Sequence, residues 1–311
     1  MFLWAPWELP CALLPLCSRT KVGTRRLWRW IRQGALPSAC CPGTGGGGNA
    51  LTRHIAKLLK AVPVITTATD SPTGKTIGVS FDLLVRDAGL RILDWDALPR
   101  AQAALLERYP LRLWDPCAVF PEAVPPYFER LPGGEDAAQP DNAAAFPAIT
   151  AHWRHVPPMP GLLRLAAPRL CVGIGCRKNL APEDALSAIK EFFVAHGLEV
   201  DAVAALATVR EKKDDISLRC AADRIKAPLY GFSTDVLAAR HTPNPSKAAG
   251  KRFGRAPFSV CEAAALACAE KLGSEKFLTG KGARVVLLFP KYVVRKRVTL
   301  AVALFSDGGA A

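Results

Sequence analysis

The sequence predicts an α/β fold: a small N-terminal α/β unit followed by a C-terminal α/β sandwich with a largely parallel sheet. Three observations predict it. From Arg169 onward, short apolar runs alternate with longer segments of helical period. Glycines and prolines fall between them, where helices end and strands turn. The composition, 50% apolar and 22% charged over 311 residues, is that of a chain able to bury a core in more than one domain.

Residues 1–45 stand apart. The first 44 hold four of the seven tryptophans and four of the ten cysteines, with no sustained helix or strand period. This segment is expected to be disordered or to be read out of frame. Order begins near Asn49, an N-cap residue followed by Leu51, Ile55, Leu58, Leu59 and Val62 at helical spacing. "VPVITTA" (62–68) reads as a buried strand, and "SFDLLVRDAG" (80–89) and "AQAALLERY" (101–109) as helices, which makes residues 46–115 a central α/β domain. Residues 116–168 carry eleven of the 26 prolines and read as an extended connector, with His152 and His155 exposed within it.

Residues 169–306 form the C-terminal domain, ahead of a tail at 307–311. "RLCVGIG" (169–175) is a strand running into a glycine turn. "APEDALSAIKEFFVAHG" (181–197) is a helix with proline near its first turn, Leu186, Ile189, Phe192 and Phe193 on one side, and Gly197 as terminator. A short unit at "DAVAALATV", a helix around "SLRCAADRI" and a strand at "APLYGF" follow. "SVCE" (259–262) has capping-box spacing and opens the alanine-rich helix "CEAAALACAEKLG". "RVVLLFP" and "RVTLAVALF" close the domain as strands.

Several classes are disfavoured. No uncharged apolar run reaches the length of about 18 residues that suggests a membrane span. The opening "MFLWAPWELPCALLPLC" is interrupted by Glu8 and three prolines and has no basic residues ahead of it, unlike a signal peptide. A cytoplasmic protein with reduced cysteines is expected. Cys171 and Cys176 have no matching Cys or His pair, so no zinc site is expected. The net charge is +14, of which residues 1–44 contribute +5. Such a surface attracts anions without choosing among them, and no nucleic-acid recognition module is present.

Among the motifs, "TDSPTGKT" (69–76) lacks the first glycine of a phosphate-binding loop and reads as a surface turn. "VGIGCRKN" (172–179) places Gly173 and Gly175 at a strand end, where α/β sheets bind ligands. It lacks the third glycine of a dinucleotide site, and it reads equally as a ligand turn or a structural one. "TPNPSK" (242–247) is a rigid loop. "FPKYVVRKRVT" carries Lys291, Arg295, Lys296 and Arg297 on a hairpin, either as a solvated turn or as an anion-binding rim.

In their order, "GGNALTRHIAKLLKAVPVITTATD", "VGIGCRKNLAPEDALSAI", "VAALATVREKKDD", "TPNPS", "SVCEAAAL" and "PKYVVRKRVTLAVAL" resemble the cobalamin-biosynthesis protein G family, the cobalt-precorrin-5A hydrolases. The resemblance runs from about Gly46 to Leu304 and is weakest between Asp115 and Pro168. It implies a hydrolase of the anaerobic route to the corrin ring, which opens the ring A lactone and expels C20 with its methyl as acetaldehyde to give cobalt-precorrin-5B. It implies a substrate turn at Gly173, Gly175 and Cys176, with Arg177, Lys178 and Lys291 against carboxylates and Lys212, Asn244, Ser246 and Ser259 as further binding residues. Glu183 and Glu262 are the implied proton carriers, although Glu262 reads at least equally as the N3 capping partner of Ser259 instead. Cobalt enters as part of the tetrapyrrole substrate, with no separate cofactor, and other corrin-pathway enzymes such as methyltransferases are the implied partners. The alternative is a truncated, non-catalytic corrinoid-binding protein. Members of the family carry a Ser-Gly-His stretch just before the glycines, and this chain does not. Codons for "CCPGTGGG" read one base earlier permit Leu-Leu-Ser-Gly-His-Trp-Gly-Gly, which is the ground for expecting a frame change there.

Overall fold

The computed structural model describes residues 27–30, 37–41, 54, 56–58, 60, 62, 81–107, 109–115, 119–120, 128–131, 148–177, 180–277 and 282–307. The chain divides into two compact units, residues 1–87 with 98–110 and residues 88–97 with 111–311.

In the first unit, β1 (Leu27–Trp30) and β2 (Pro37–Cys41) pair antiparallel. Regular structure therefore occurs within the segment expected to have none. Helices α1 (Phe81–Asp87) and α2 (Leu98–Glu107) form where the apolar periods placed them. They bury Phe81, Val85, Ala101, Ala104 and Leu105, and Gln102 Oε1 accepts the Phe81 N–H at 2.7 Å, which anchors the first turn of α1. Of the helix expected from Asn49, His54 and residues 56–58 are helical. The strand at 62–68 and the 69–76 turn lie outside the described residues, apart from Val62.

The second unit holds two five-stranded sheets. One runs in the order β3 (Arg91–Ile92), β7 (Leu162–Ala166), β6 (Ala148–His152), β4 (Leu111–Trp114), β5 (Phe128–Arg130). All its pairings are parallel except β3 with β7. Three of its strands lie inside the proline-rich stretch read as a connector. Prolines there fall between strands rather than within them, so the backbone N–H groups of the ladder are intact. Asp94 and Arg164 tie this sheet together, with Nε–Oδ2 at 2.8 Å and Nη2–Oδ1 at 2.7 Å. The histidines are also not both exposed. His152 is buried with Nδ1 accepting the Arg154 N–H at 2.7 Å, whereas His155 faces Glu199 at 3.1 Å.

The other sheet runs β10 (Leu229–Phe232), β9 (Val203–Val209), β8 (Leu170–Cys176), β12 (Val298–Asp307), β11 (Ala283–Val294). β8, β9 and β10 are parallel, joined by α3 (Asp184–Ala195) and α4 (Ile216–Ile225), and the β11–β12 hairpin adds antiparallel to β8. Alternation along β8 splits the core. Leu170, Val172 and Ile174 meet Ile189, Phe192 and Phe193 of α3 on one face, each large side chain contributing about 1.5–3 kcal/mol by burial. On the other face, Cys171, Ala205, Ala207, Ala301 and Ala303 meet α7 (Val260–Lys276). Small residues on both surfaces bring α7 close to the sheet, and apolar residues all round it mark a buried helix. Between β10 and α7 run the short helices α5 (Thr234–Ala238) and α6 (Lys247–Phe253).

Candidate functional site

The carboxyl end of β8 lies between the start of β12, the first turn of α7 and the turn that follows β9. In register, Cys176 pairs with Val298 and Gly175 with Thr299, whose Oγ1 donates to the Gly175 carbonyl at 3.0 Å. A Cβ at position 175 would stand 2.5 Å from that hydroxyl oxygen. At Gly173 a Cβ would stand 1.8 Å from the carbonyl oxygen of Cys261 and 2.7 Å from the Ala265 nitrogen. Of the two readings left open by sequence, the backbone approach at Gly173 is made by α7.

The Arg177 N–H donates to the Arg297 carbonyl at 3.1 Å, which ties the end of β8 to the turn between β11 and β12. The Arg177 carbonyl accepts from Lys212 Nζ at 3.3 Å. Lys212 also pairs with Asp215 at 2.9 Å and is nearly buried, which makes it a strut for the turn and not a free cation. Burial pushes the Cys176 thiol up, against the partial pull of Lys212 and Arg252, so it is protonated at neutral pH. Arg177 is exposed, and Lys178 lies outside the described residues.

Glu262 is wholly buried in the first turn of α7. Its Oε1 accepts from Asn244 Nδ2 at 2.8 Å and the Lys291 N–H at 2.9 Å, and its Oε2 accepts the Asn244 N–H at 3.1 Å. Burial alone would raise its pKa. The donors from Asn244 and Lys291, with a further hydrogen bond from Ser259, outweigh that and hold the carboxyl below the ordinary glutamate value. The capping box does not form, because Ser259 makes no side-chain cap bond and Glu262 is taken by other partners. This saturated, ionised carboxylate organises three segments: α7, the 242–246 loop and β11. Ser246 caps α6, accepting the Ala249 N–H at 3.3 Å, and its own N–H donates to the Phe258 carbonyl at 3.1 Å. Glu183 is exposed at the N-terminus of α3 with no side-chain cap bond.

The structure therefore gathers Gly175, Cys176, Arg177 and Lys212 around one strand end, and Asn244, Ser259, Glu262 and the Lys291 backbone around one carboxylate. Thr299 and Cys261 link the two groups, since Thr299 bonds Gly175 and shares a hydrogen bond with the Cys261 thiol. Sequence reading missed Thr299, Asp215 and Arg252. No local pattern marks Thr299, which matters through its partner 124 residues away.

Residues 170–303 match the family model described as "Cobalamin synthesis G C-terminus", and residues 36–70 the one described as "Cobalamin synthesis G N-terminal". A solved structure of CobE, a protein from the cobalamin (vitamin B12) biosynthetic pathway, is 32% identical over 44% of this chain and 89% of its own, with a TM-score of 0.38. The chain belongs to the cobalamin synthesis G family. For this cobalamin synthesis G chain, the N-terminal match begins ten residues upstream of the Gly46 boundary expected from the motifs. Cobalamin biosynthesis protein chiG from Agrobacterium tumefaciens is also 32% identical, over 44% of this chain and 99% of its own, with a TM-score of 0.30. The curated relative named cobalt-precorrin-5A hydrolase, from Salmonella typhimurium, is 27% identical over 206 residues. That match covers 63% of the cobalamin synthesis G chain and 55% of the relative, so the chain spans about half the relative's length.

Proposed function

We propose that the protein is a cobalt-precorrin-5A hydrolase, opening the ring A lactone of its cobalt-tetrapyrrole substrate and releasing C20 as acetaldehyde. The observation that carries this reading is the cationic end of β8, inside the C-terminal family match, in a chain related to an enzyme of that name. A substrate bearing many acetate and propionate carboxylates is steered and held by such an edge. Arg177 and Lys291 take substrate carboxylates and offset the oxyanion that develops as water attacks the lactone carbonyl. Glu183, exposed beside this edge, handles protons. Glu262 acts as a positioning residue, holding the 242–246 loop and the Lys291 backbone in register.

The test is anaerobic incubation of the full chain with cobalt-precorrin-5A, with acetaldehyde trapped as a hydrazone. One acetaldehyde per substrate supports the hydrolase, and its absence with a folded protein rejects it. A second reading, a corrinoid-binding protein without turnover, is favoured by one observation. Glu262, one of the two implied proton carriers, is already bonded on both oxygens by Asn244 and the Lys291 N–H. Retained substrate binding without acetaldehyde would select that reading.

A further inference from the structure

The cations beyond the end of β8 fall into two groups. Arg295 pairs with Glu191 at 2.9 Å and Arg297 with Asp184 at 3.6 Å. The side chains of Arg177, Arg252, Lys291 and Lys296 have no carboxylate partner among the described residues. Two of these, Arg252 and Lys296, are not among the binding residues that the family resemblance implies.

Lys296 stands on an unusual support. The Val294 carbonyl accepts the Arg297 N–H at 3.1 Å, closing a four-residue turn between β11 and β12. Its central residues, Arg295 and Lys296, have φ of 47° and 54°. A turn with two left-handed residues is the one that favours Asn-Gly, because a side chain crowds the backbone there. Two long basic residues in that position carry strain, and among the described residues Lys296 makes no hydrogen bond or ion pair that would offset it. Strain retained without internal compensation is a mark of ligand clamps. The turn also borders the site directly, through the Arg177 N–H bound to the Arg297 carbonyl. Arg252 is exposed on α6, whose N-cap Ser246 lies two residues beyond the Glu262-bound Asn244 and donates to the Phe258 carbonyl, next to Ser259.

We propose that Lys296, presented by this strained turn, and Arg252, exposed on α6, hold carboxylates of a polycarboxylate tetrapyrrole. The inference rests on the substrate class proposed above. Uroporphyrin, a fluorescent octacarboxylate with no lactone, tests binding apart from turnover. In fluorescence titrations of the full chain at low salt, Lys296→Gln and Arg252→Gln each weaken uroporphyrin binding about three- to fivefold, the scale of one exposed ion pair. Lys190→Gln, on the exposed face of α3, leaves it unchanged. The double change Arg295→Asn with Lys296→Gly relaxes the turn. It raises Tm by about 2–4 °C while weakening binding at least as much as Lys296→Gln.

Three results would overturn the proposal: wild-type affinity in Lys296→Gln, a relaxed turn that keeps full affinity or melts lower, or displacement of uroporphyrin by equimolar pyrophosphate. The acetaldehyde assay separates the two ideas. Uroporphyrin binding that depends on Lys296, without acetaldehyde release, removes the hydrolase and keeps the clamp. Acetaldehyde release with a KM unmoved by Lys296→Gln removes the clamp and keeps the hydrolase.

Discussion

Replacing Gly173 by alanine inserts one methyl group between β8 and α7, and its cost follows from the distances. The new carbon would lie 1.8 Å from the Cys261 oxygen, 2.7 Å from the Ala265 nitrogen and 2.8 Å from the Cys261 carbonyl carbon. All three are backbone atoms of a helix, so no side chain can swing away. Restoring contact to ordinary van der Waals separation requires α7 to lift by about 1.6 Å. A gap of roughly 1 Å forfeits a quarter to a half of the dispersion contact beneath Ala264, Ala265 and Cys268, which are wholly buried against the sheet. Overpacking of this kind costs about 3 kcal/mol, the upper part of the usual range. For a chain of this size that corresponds to a fall in Tm of about 6–12 °C. Thermal unfolding followed by circular dichroism measures it. Gly197→Ala is the control, because nothing lies within 4 Å of the added methyl and only its φ of 61° opposes the change. It costs about 1 kcal/mol. A Gly173→Ala protein melting within about 1 °C of the parent would refute the close packing of α7 and reopen the turn as a ligand surface.

Glu262→Gln keeps the shape but turns an amide N–H2 toward backbone and side-chain donors. It should lower stability by about 3 kcal/mol in urea unfolding and reduce acetaldehyde release in parallel, whereas full activity would show that the loop needs no anchor. Acid stability should follow the same carboxylate. The folded pKa values of Glu262 and Asp94 lie below their ordinary 4.5 and 3.8, so their stabilisation is present above those values and lost as pH falls through the folded ones. Asp115, buried at the end of β4, is shifted upward and opposes this over the interval above 3.8. Urea midpoints measured from pH 6 to pH 3 should show an acid limb that flattens in Glu262→Gln, and an unchanged limb would count against an ionised Glu262. Thr150 is buried with its hydroxyl lacking a hydrogen-bond partner among the described residues. Thr150→Val should therefore leave Tm unchanged or raise it by a few degrees, an effect of about 1 kcal/mol, and a lower Tm would reveal a partner for the hydroxyl.

The sequence by itself determined the order of the main elements from β8 to β12, though not the short helices α5 and α6. Leu186, Ile189, Phe192 and Phe193 recur at the helical period of α3, and Gly197 ends it with a φ of 61°, because these signals act within a few residues. It also marked the strand end at Gly173–Arg177 and the basic hairpin, which the fold joins through the Arg177–Arg297 backbone hydrogen bond. The proline-rich stretch misled for a physical reason. Strands β5, β6 and β7 are only three to five residues long and gain their stability by pairing with β4 and one another, which no local period records. Only the tertiary structure decided what the site residues do. Gly173 at a strand end is compatible with a ligand or a helix, and the choice fell to α7, about 90 residues downstream in the chain. Ser259 and Glu262 have capping-box spacing, yet Glu262 bonds to Asn244, 18 residues away, and Lys291, 29 away. A buried carboxylate takes the donors that the whole fold brings within reach, since leaving it unpaired costs more than any local spacing preference.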